Sequence, residues 1–137
     1  MESLKVQEFM RLKPVCFTPD MSIAAAVEAL ANSSQSGGPV LDNTHKVVGY
    51  LCERECIDRL LDESYYSERV DYVRDVMIQP DFTILQHESM LELAQKMLDT
   101  PQSDFVVIDE DKLMQGLITR SDVLKALASY LRAGYAH

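Results

Sequence analysis

The segment Val106-Val107-Ile108-Asp109 is followed, after a short polar stretch, by Gly116-Leu117-Ile118-Thr119-Arg120-Ser121-Asp122. An altered copy of both motifs, Pro39-Val40-Leu41-Asp42 and Gly49-Tyr50-Leu51-Cys52-Glu53-Arg54-Glu55, lies 67 positions earlier (109 minus 42). The same offset places the whole chain on itself without a gap. Identical residues then coincide at Met10 and Met77, Ser22 and Ser89, Gln35-Ser36 and Gln102-Ser103, Asp42 and Asp109, Gly49 and Gly116, and Leu60 and Leu127. A fixed internal period indicates that one supersecondary unit is used twice, so this repeat decides the fold.

Each copy predicts the element order strand, helix, strand, strand, helix. In the first copy, apolar residues after Ser22 recur at the spacing of a helix that begins with a serine N-cap. In the second copy, Ser89 with Glu92 three residues later is the signature of a capping box. The predicted strands are residues 15–17, 40–42, 47–51, 82–85, 105–108 and 113–118. We also predict a tight turn at 36–39, a helix at 53–61, a last helix that ends before Gly134, and short helices at 4–10 and 72–77.

The repeat also predicts the domain organisation. We expect a first repeat at residues 4–62, a linker at 63–71 and a second repeat at 72–133. A copy of about 60 residues is marginal alone, because so short a chain buries too little apolar surface. The expected fold is therefore α+β: two tandem β-α-β-β-α repeats with small three-stranded sheets flanked by helices, packed with pseudo-two-fold symmetry.

Composition and charge narrow the classes of function. The chain has 137 residues, 47% of them hydrophobic. No apolar run approaches the roughly 20 residues that a membrane span needs. A net charge of -9 disfavours nucleic acid and anionic membranes as partners. The segment Met1-Glu2-Ser3-Leu4-Lys5 lacks the basic head and apolar stretch of a signal peptide, so we expect a cytoplasmic protein.

No pattern in the sequence indicates catalysis or a metal site. Cys16, Cys52 and Cys56 form no C-x-x-C motif, and their odd number in a reducing compartment argues against a disulfide framework. Cys52 and Cys56 stand four residues apart but have no histidine close in sequence to complete a zinc site. The histidines fall in predicted turns or at the terminus: His45, His87 and His137. We therefore expect no metal, no catalytic residues and no enzymatic activity.

The two ordered motif sets resemble cystathionine-β-synthase (CBS) domains, and the tandem resembles the pair called a Bateman module. The family pattern is a Met, a Pro-led strand, a Ser-capped helix, "PVVD", a turn, and "G-apolar-apolar-T-x-x-D" before an apolar helix. The resemblance covers about residues 4–131. The first copy supplies Met10, Pro14, Ser22, Pro39-Val40-Leu41-Asp42, Gly49-Tyr50-Leu51 and Glu55. The second supplies Met77, Ser89, Val106-Val107-Ile108-Asp109, Gly116-Leu117-Ile118-Thr119 and Asp122.

The resemblance implies a regulatory, energy-sensing module. Such a module binds AMP, ADP, ATP or S-adenosylmethionine in the cleft between its repeats and signals to a partner protein by conformational change. The adenine nucleotide is then a regulatory ligand and not a required cofactor. By family position, the ligand-binding residues are Thr119, Asp122, Arg120, Thr83, Ile84, Ser103 and Phe105. A second, weaker site comprises Phe17, Gly38, Pro39, Cys52 and Glu55. The resemblance and the surplus of apolar helix faces together imply a homodimer.

Residue chemistry supports this interpretation and leaves alternatives. The carboxylate of Asp122 can accept from both hydroxyls of a ribose diol, and Arg120 can meet a phosphate. Thr119 with Asp122 also fits a capping box, and Arg120 also fits a solvated surface charge. In the first copy a thiol replaces the hydroxyl and a longer Glu replaces the Asp, so that site is expected to bind less well.

Two further alternatives remain from the sequence. The glycines of Gly37-Gly38-Pro39 fit a turn that demands positive φ, and the alternative is that they allow a ligand to approach the backbone closely. The alternative function is a dimeric protein-interaction or assembly module with degenerate pockets and no small ligand.

Overall fold

The fold is α+β, as predicted, with the same element order in both halves of the chain. A computed structural model describes residues 4–66, 71–79 and 82–135. The first half contains a 3-10 helix Val6–Glu8, α1 Ile23–Ala31, β1 Gly37–Leu41, β2 Val47–Cys52 and α2 Glu53–Tyr66. The second half contains α3 Val73–Val76, β3 Thr83–Leu85, α4 Met90–Asp99, β4 Asp104–Ile108, β5 Met114–Thr119 and α5 Arg120–Tyr135.

The chain folds into two compact units. The segment that leads into the first repeat, residues 4–13, packs with the second repeat, and the segment that leads into the second repeat, residues 71–79, packs with the first. These two stretches are called the lead-in segments. The terminal unit joins residues 4–13 to residues 82–135, and the central unit comprises the described part of residues 14–79. Leu4 accepts a hydrogen bond from the N–H of Met90 at 2.9 Å, and Asp71 accepts from Ile23 at 3.0 Å. These equivalent bonds tie each lead-in segment to the start of a helix in the other repeat. The compact units therefore differ from the sequence repeats, whose boundaries stay a prediction.

The terminal unit contains a three-stranded sheet in the order β3-β4-β5. β3 runs parallel to β4, and β5 returns antiparallel to it. The N-cap Ser22 of α1 has its counterpart in Ser89 of α4, whose hydroxyl accepts from the N–H of Glu92 at 3.1 Å. Buried side chains from the sheet, from α4 and from α5 form one core cluster: Val6, Ile84, Met90, Leu93, Phe105, Val107, Ile118, Val123 and Ala126.

The central unit differs from the prediction of three strands, because its sheet contains only β1 and β2 among the described residues. In place of the predicted strand at 15–17, Phe17 makes a single parallel bridge to Val40. The side chain of Gln35 takes over part of the pairing, since it accepts from Val15 N–H at 2.8 Å and donates to Val15 O at 3.1 Å. The core cluster of this unit is Phe17, Ile23, Ala26, Leu30, Val40, Leu51, Cys56, Val73 and Val76.

Two glycines allow the lead-in segments to cross the sheets closely. A Cβ on Gly116 would lie 2.7 Å from the carbonyl oxygen of Arg11, and a Cβ on Gly49 would lie 2.6 Å from Met77 Sδ. These glycines stand at equivalent positions of the repeat. The close backbone oxygen therefore requires glycine at position 116, whereas the atom nearest to Gly49 belongs to the flexible Met77 side chain; neither glycine has an unusual backbone conformation.

The "PVVD" aspartates organise the two hairpins. Asp42 accepts hydrogen bonds from the N–H and hydroxyl of Thr44, at 2.8 and 2.7 Å. The bond from the Thr44 side chain is the main cause that lowers the pKa of Asp42. Asp109 accepts from the N–H groups of Asp111 and Leu113 at 2.9 and 3.0 Å. Side chain to backbone bonds of this kind fix the turn that sets each hairpin register.

Three predicted boundaries were wrong. α2 continues past residue 61 to Tyr66, into the predicted linker, of which residues 67–70 lie outside the described residues. α5 continues through Gly134, where a Cβ would meet nothing within 4 Å, so this glycine does not end the helix. The predicted turn at 36–39 is instead the beginning of β1, and no glycine of the described residues has positive φ.

Candidate functional site

The junction between β5 and α5 holds the predicted Thr119 and Asp122 together. The hydroxyl of Thr119 accepts from the N–H of Asp122 at 3.2 Å. The Asp122 carboxylate accepts in return from the N–H and the hydroxyl of Thr119, both at 3.0 Å. This reciprocal arrangement is the capping box that the sequence offered as the structural alternative. It also fixes the position of the carboxylate at the N-terminus of a 16-residue helix, where negative charge is favourable.

Arg11, which sequence reasoning missed, pairs with this carboxylate. Its Nε donates to Asp122 Oδ2 at 3.0 Å and its Nη2 donates to Oδ1 at 3.3 Å. Nη2 also reaches the Thr119 hydroxyl at 3.4 Å. The Asp122 side chain is 10% exposed and that of Arg11 is 38% exposed. A nearly buried carboxylate needs such a partner, because an unpaired buried charge is costly.

The backbone of the N-terminal segment explains why Arg11 reaches a residue so distant in sequence. Arg11 and Leu117 exchange N–H···O bonds at 2.7 and 3.0 Å, so the segment lies along β5. In the central unit, Ile78 and Tyr50 exchange the equivalent bonds at 2.8 and 2.9 Å. The repeat offset aligns Arg11 with Ile78, and this alignment is the one signal in the sequence that could have indicated its position.

The other predicted site residues of the terminal unit lie on the neighbouring strands. Ile84 and Phe105 are each 2% exposed and belong to the core, so the structure buries these two predicted contacts within the unit. Thr83 is half-buried and pairs with Val106. Ser103 accepts from the N–H of Arg120 at 3.0 Å, which joins two predicted residues through the backbone. The Arg120 side chain is exposed, as the alternative of a solvated charge requires.

The predicted weaker site of the central unit has a less polar set of side chains. Phe17 is 1% exposed, and Gly38 and Pro39 are buried within β1. Cys52 ends β2 and Glu55 lies in the first turn of α2, both half-buried. Among the described residues, Glu55 accepts no side-chain hydrogen bond. The backbone position that carries Arg11 in the terminal unit carries the apolar Ile78 here.

Close packing explains why residue 38 is a glycine. A Cβ on Gly38 would lie 2.5 Å from the carbonyl oxygen of Val15 and 2.9 Å from the Phe17 ring. The prediction of positive φ was therefore wrong, and close packing is the physical reason for glycine at this position.

Burial also changes the chemistry of the neighbouring thiol. The pKa of Cys56 is raised to about 11, mainly because burial disfavours the thiolate, with Cys52, Glu55 and Glu53 adding negative charge nearby. Cys56 also lines a small apolar groove of about 150 Å³ between α1 and α2. Within the described parts of the chain, no group of three His, Cys, Asp or Glu side chains is arranged to hold a metal ion.

The fold and this junction define a class of protein. Its members have two tandem α+β repeats, and in this chain an aspartate, Asp122, forms a capping box with Thr119 at the start of the last helix. The CBS domain family model matches residues 6–62 and again residues 73–129. The chain belongs to the CBS domain family and contains a tandem pair of its domains.

Curated relatives share the pair as part of longer proteins. Uncharacterized protein MJ1225 of Methanocaldococcus jannaschii is 26% identical over 126 residues, which are 90% of this chain and 43% of that protein. Zinc metalloprotease MJ0392 of the same organism is 29% identical over 127 residues, which are 93% of this chain and 33% of that protein. The chain thus spans less than half the length of these relatives.

Solved CBS pairs have the same fold. A crystal structure of CBSX2 in complex with AMP has a TM-score of 0.82 and 23% identity, and covers 93% of this chain and 98% of that one. CBSX2 comes from Arabidopsis thaliana. The CBS domain pair of protein MJ0100, in complex with 5'-methylthioadenosine and S-adenosyl-L-methionine, has a TM-score of 0.78 and 19% identity. That comparison covers 92% of this chain and 97% of the other. Across the described residues, no helix has both the length and the apolar character needed to cross a bilayer.

Proposed function

We propose that the chain is a cytoplasmic regulatory module that binds an adenosine compound at the terminal unit and signals to a partner protein by a change of conformation. The observation that carries the proposal is the fixed carboxylate of Asp122, whose side chain is 10% exposed, beside the hydroxyl of Thr119. An ionised carboxylate accepts from two hydroxyls at once, and this matches the vicinal diol of a ribose.

The ligands of related structures support the choice of an adenosine compound. CBSX2 was solved with AMP, the MJ0100 pair with methylthioadenosine and S-adenosylmethionine, and a CNNM/CorC family Mg²⁺ transporter CBS domain with ATP. All of these ligands contain adenine on a ribose with its 2',3'-diol, and they differ in the group at the 5' carbon. The proposed ligand is therefore defined by the part that these molecules share, an adenine joined to a ribose. The remaining predicted contacts belong to the same proposal: Thr83, Ile84, Ser103, Phe105 and Arg120.

Calorimetry against AMP, ADP, ATP and S-adenosylmethionine tests the proposal. Asp122→Ala should weaken the tightest binding event at least tenfold, because one charge-assisted contact contributes roughly 1.5–3 kcal/mol. Glu55→Ala changes the equivalent residue of the other repeat and should leave that event nearly unchanged. Absence of heat and of any thermal shift at millimolar nucleotide would favour the assembly module without a small ligand.

We also propose that the chain forms a homodimer. The supporting observation is a set of large apolar side chains left exposed on the last helix of each repeat. Ile57 is 58% exposed and Leu61 is 61% exposed on α2, whereas Leu124 and Leu131 of α5 are 68% and 54% exposed. Ile57 and Leu124 occupy equivalent positions, so a second copy offers the same apolar surface in return.

Light scattering at micromolar concentration decides the oligomeric state. A mass of twice 15.5 kDa supports the dimer, and a mass near 15.5 kDa contradicts it. Ile57→Glu with Leu124→Glu should yield the monomer without unfolding it, because both side chains are exposed in the single chain.

A further inference from the structure

The carboxylate of Asp122 has no acceptor position left for a ligand in this structure. Oδ2 accepts from the N–H and the hydroxyl of Thr119 and from Nε of Arg11, all at 3.0 Å. Oδ1 accepts from Nε and Nη2 of Arg11, both at 3.3 Å. A carboxylate has about four lone-pair positions. A ribose diol can therefore bind only if some of these donors leave.

Arg11 is the donor that can leave. The two bonds that Thr119 donates to the carboxylate belong to the N-terminal cap of α5, and breaking them would open the cap. The guanidinium comes from another segment and is 38% exposed, so it can turn into water by rotation of its side chain. Its backbone stays in place meanwhile, since it is paired with Leu117 in both directions.

The central unit indicates that the fold does not need this cation. Ile78 makes the same two backbone bonds as Arg11, to Tyr50, at 2.8 and 2.9 Å. An apolar residue is therefore compatible with the lead-in segment at this position. The guanidinium of Arg11 therefore pairs with the Asp122 carboxylate, and it is not needed for the N-terminal segment to pack across the sheet.

We propose that Arg11 is an internal competitor for the ligand: it holds Asp122 in the free protein and is displaced when a diol binds. This inference rests on the proposed function. Affinity for an adenosine compound is then set in part by the strength of the Arg11–Asp122 ion pair. Because the pair is partly exposed, salt weakens it and so strengthens the binding of an uncharged nucleoside.

Adenosine, which carries no charge, is the probe that isolates the competition. Arg11→Met keeps an aliphatic side chain and removes the donors. Arg132→Met is the matched control, because Arg132 lies exposed in the last turn of α5 and carries the same charge. Calorimetry should show adenosine bound about tenfold more tightly by Arg11→Met, a change of about 1.4 kcal/mol, and equally by Arg132→Met and the unaltered chain.

Two further measurements identify the mechanism. Adenosine affinity of the unaltered chain should rise between about 0.02 M and about 0.5 M salt, whereas that of Arg11→Met should stay constant. 2',3'-Dideoxyadenosine, which lacks the diol, should gain nothing from Arg11→Met.

The outcomes separate this inference from the proposed function. If the unaltered chain binds adenosine and Arg11→Met binds it equally or more weakly, Arg11 does not compete and the inference is overturned alone. If neither protein binds adenosine, AMP, ADP, ATP or S-adenosylmethionine at millimolar concentration, the proposed function fails and the inference fails with it.

Discussion

Asp122→Ala should destabilise the chain even without ligand, and the structure gives the size of the effect. The substitution removes the acceptor of the Thr119 N–H and hydroxyl, a loss that costs about 1 kcal/mol. It also leaves Arg11 without its partner. A charge-assisted pair contributes roughly 1.5–3 kcal/mol, which we reduce to about 1 kcal/mol because Arg11 is more than a third exposed. Together the loss is about 2 kcal/mol.

Urea and thermal unfolding measure this loss directly. For a chain of this length, 1 kcal/mol corresponds to about 4 °C, so the Tm of Asp122→Ala should fall by about 8 °C. Glu55→Ala is the matched control, since it alters the same position of the other repeat. Glu55 accepts no side-chain hydrogen bond from the described residues, so its substitution should change stability by less than about 0.5 kcal/mol.

A double-mutant cycle separates the two contributions to this loss. Arg11→Met and Asp122→Asn should show a coupling energy of about 1 kcal/mol, because each variant breaks the same ion pair. Equal destabilisation by Asp122→Ala and Glu55→Ala would refute the reasoning, and so would a coupling energy near zero.

Three other predictions concern stability and reactivity. Gly116→Ala should destabilise by about 2 kcal/mol in urea unfolding, because its Cβ would lie 2.7 Å from a carbonyl oxygen, whereas Gly134→Ala should stabilise by up to about 1 kcal/mol. Lys112 has φ 66, a backbone conformation that strains a residue with a Cβ and that glycine adopts freely. Lys112→Gly should therefore raise the Tm by up to a few degrees, and a lower Tm would show that this backbone strain is absent. In the native protein at pH 8, iodoacetamide should modify the buried Cys56 far more slowly than the exposed Cys16. With a pKa of about 11, only about one Cys56 thiol in a thousand is ionised at that pH, and equal rates in peptide mapping would contradict its burial.

The sequence predicted the secondary structure best where local chemistry decides it. The serine caps of α1 and α4 form as predicted, because a hydroxyl and the nearby N–H groups lie within one turn. The hairpin turns at Asp42 and Asp109 also depend on bonds within four residues. The capping box at Thr119 is of the same kind.

Features that depend on distant contacts were missed or misplaced. Glycine was interpreted as a turn residue at Gly38 and as a helix end at Gly134. The first is required by the close approach of Val15, and the second is merely tolerated on an exposed helix. Arg11 was missed because the N-terminal segment of the first repeat brings it to Asp122 in the second repeat. No local pattern carries that information.

The two repeats use one backbone arrangement to present two different sets of side chains. Gly49 and Gly116 allow the same crossing, and the lead-in segments make the same pair of bonds to the neighbouring strand. The two units differ in the side chains near the start of the last helix of each repeat. The terminal unit has Arg11, Thr119 and Asp122 there, and the equivalent positions of the central unit hold Ile78, Cys52 and Glu55. A shared scaffold therefore explains the common fold, and Thr119 and Asp122 in place of Cys52 and Glu55 explain why the terminal unit is the better candidate for a ribose. Because Arg11 comes from the first repeat and Asp122 from the second, the ion pair that competes with a ligand depends on both repeats.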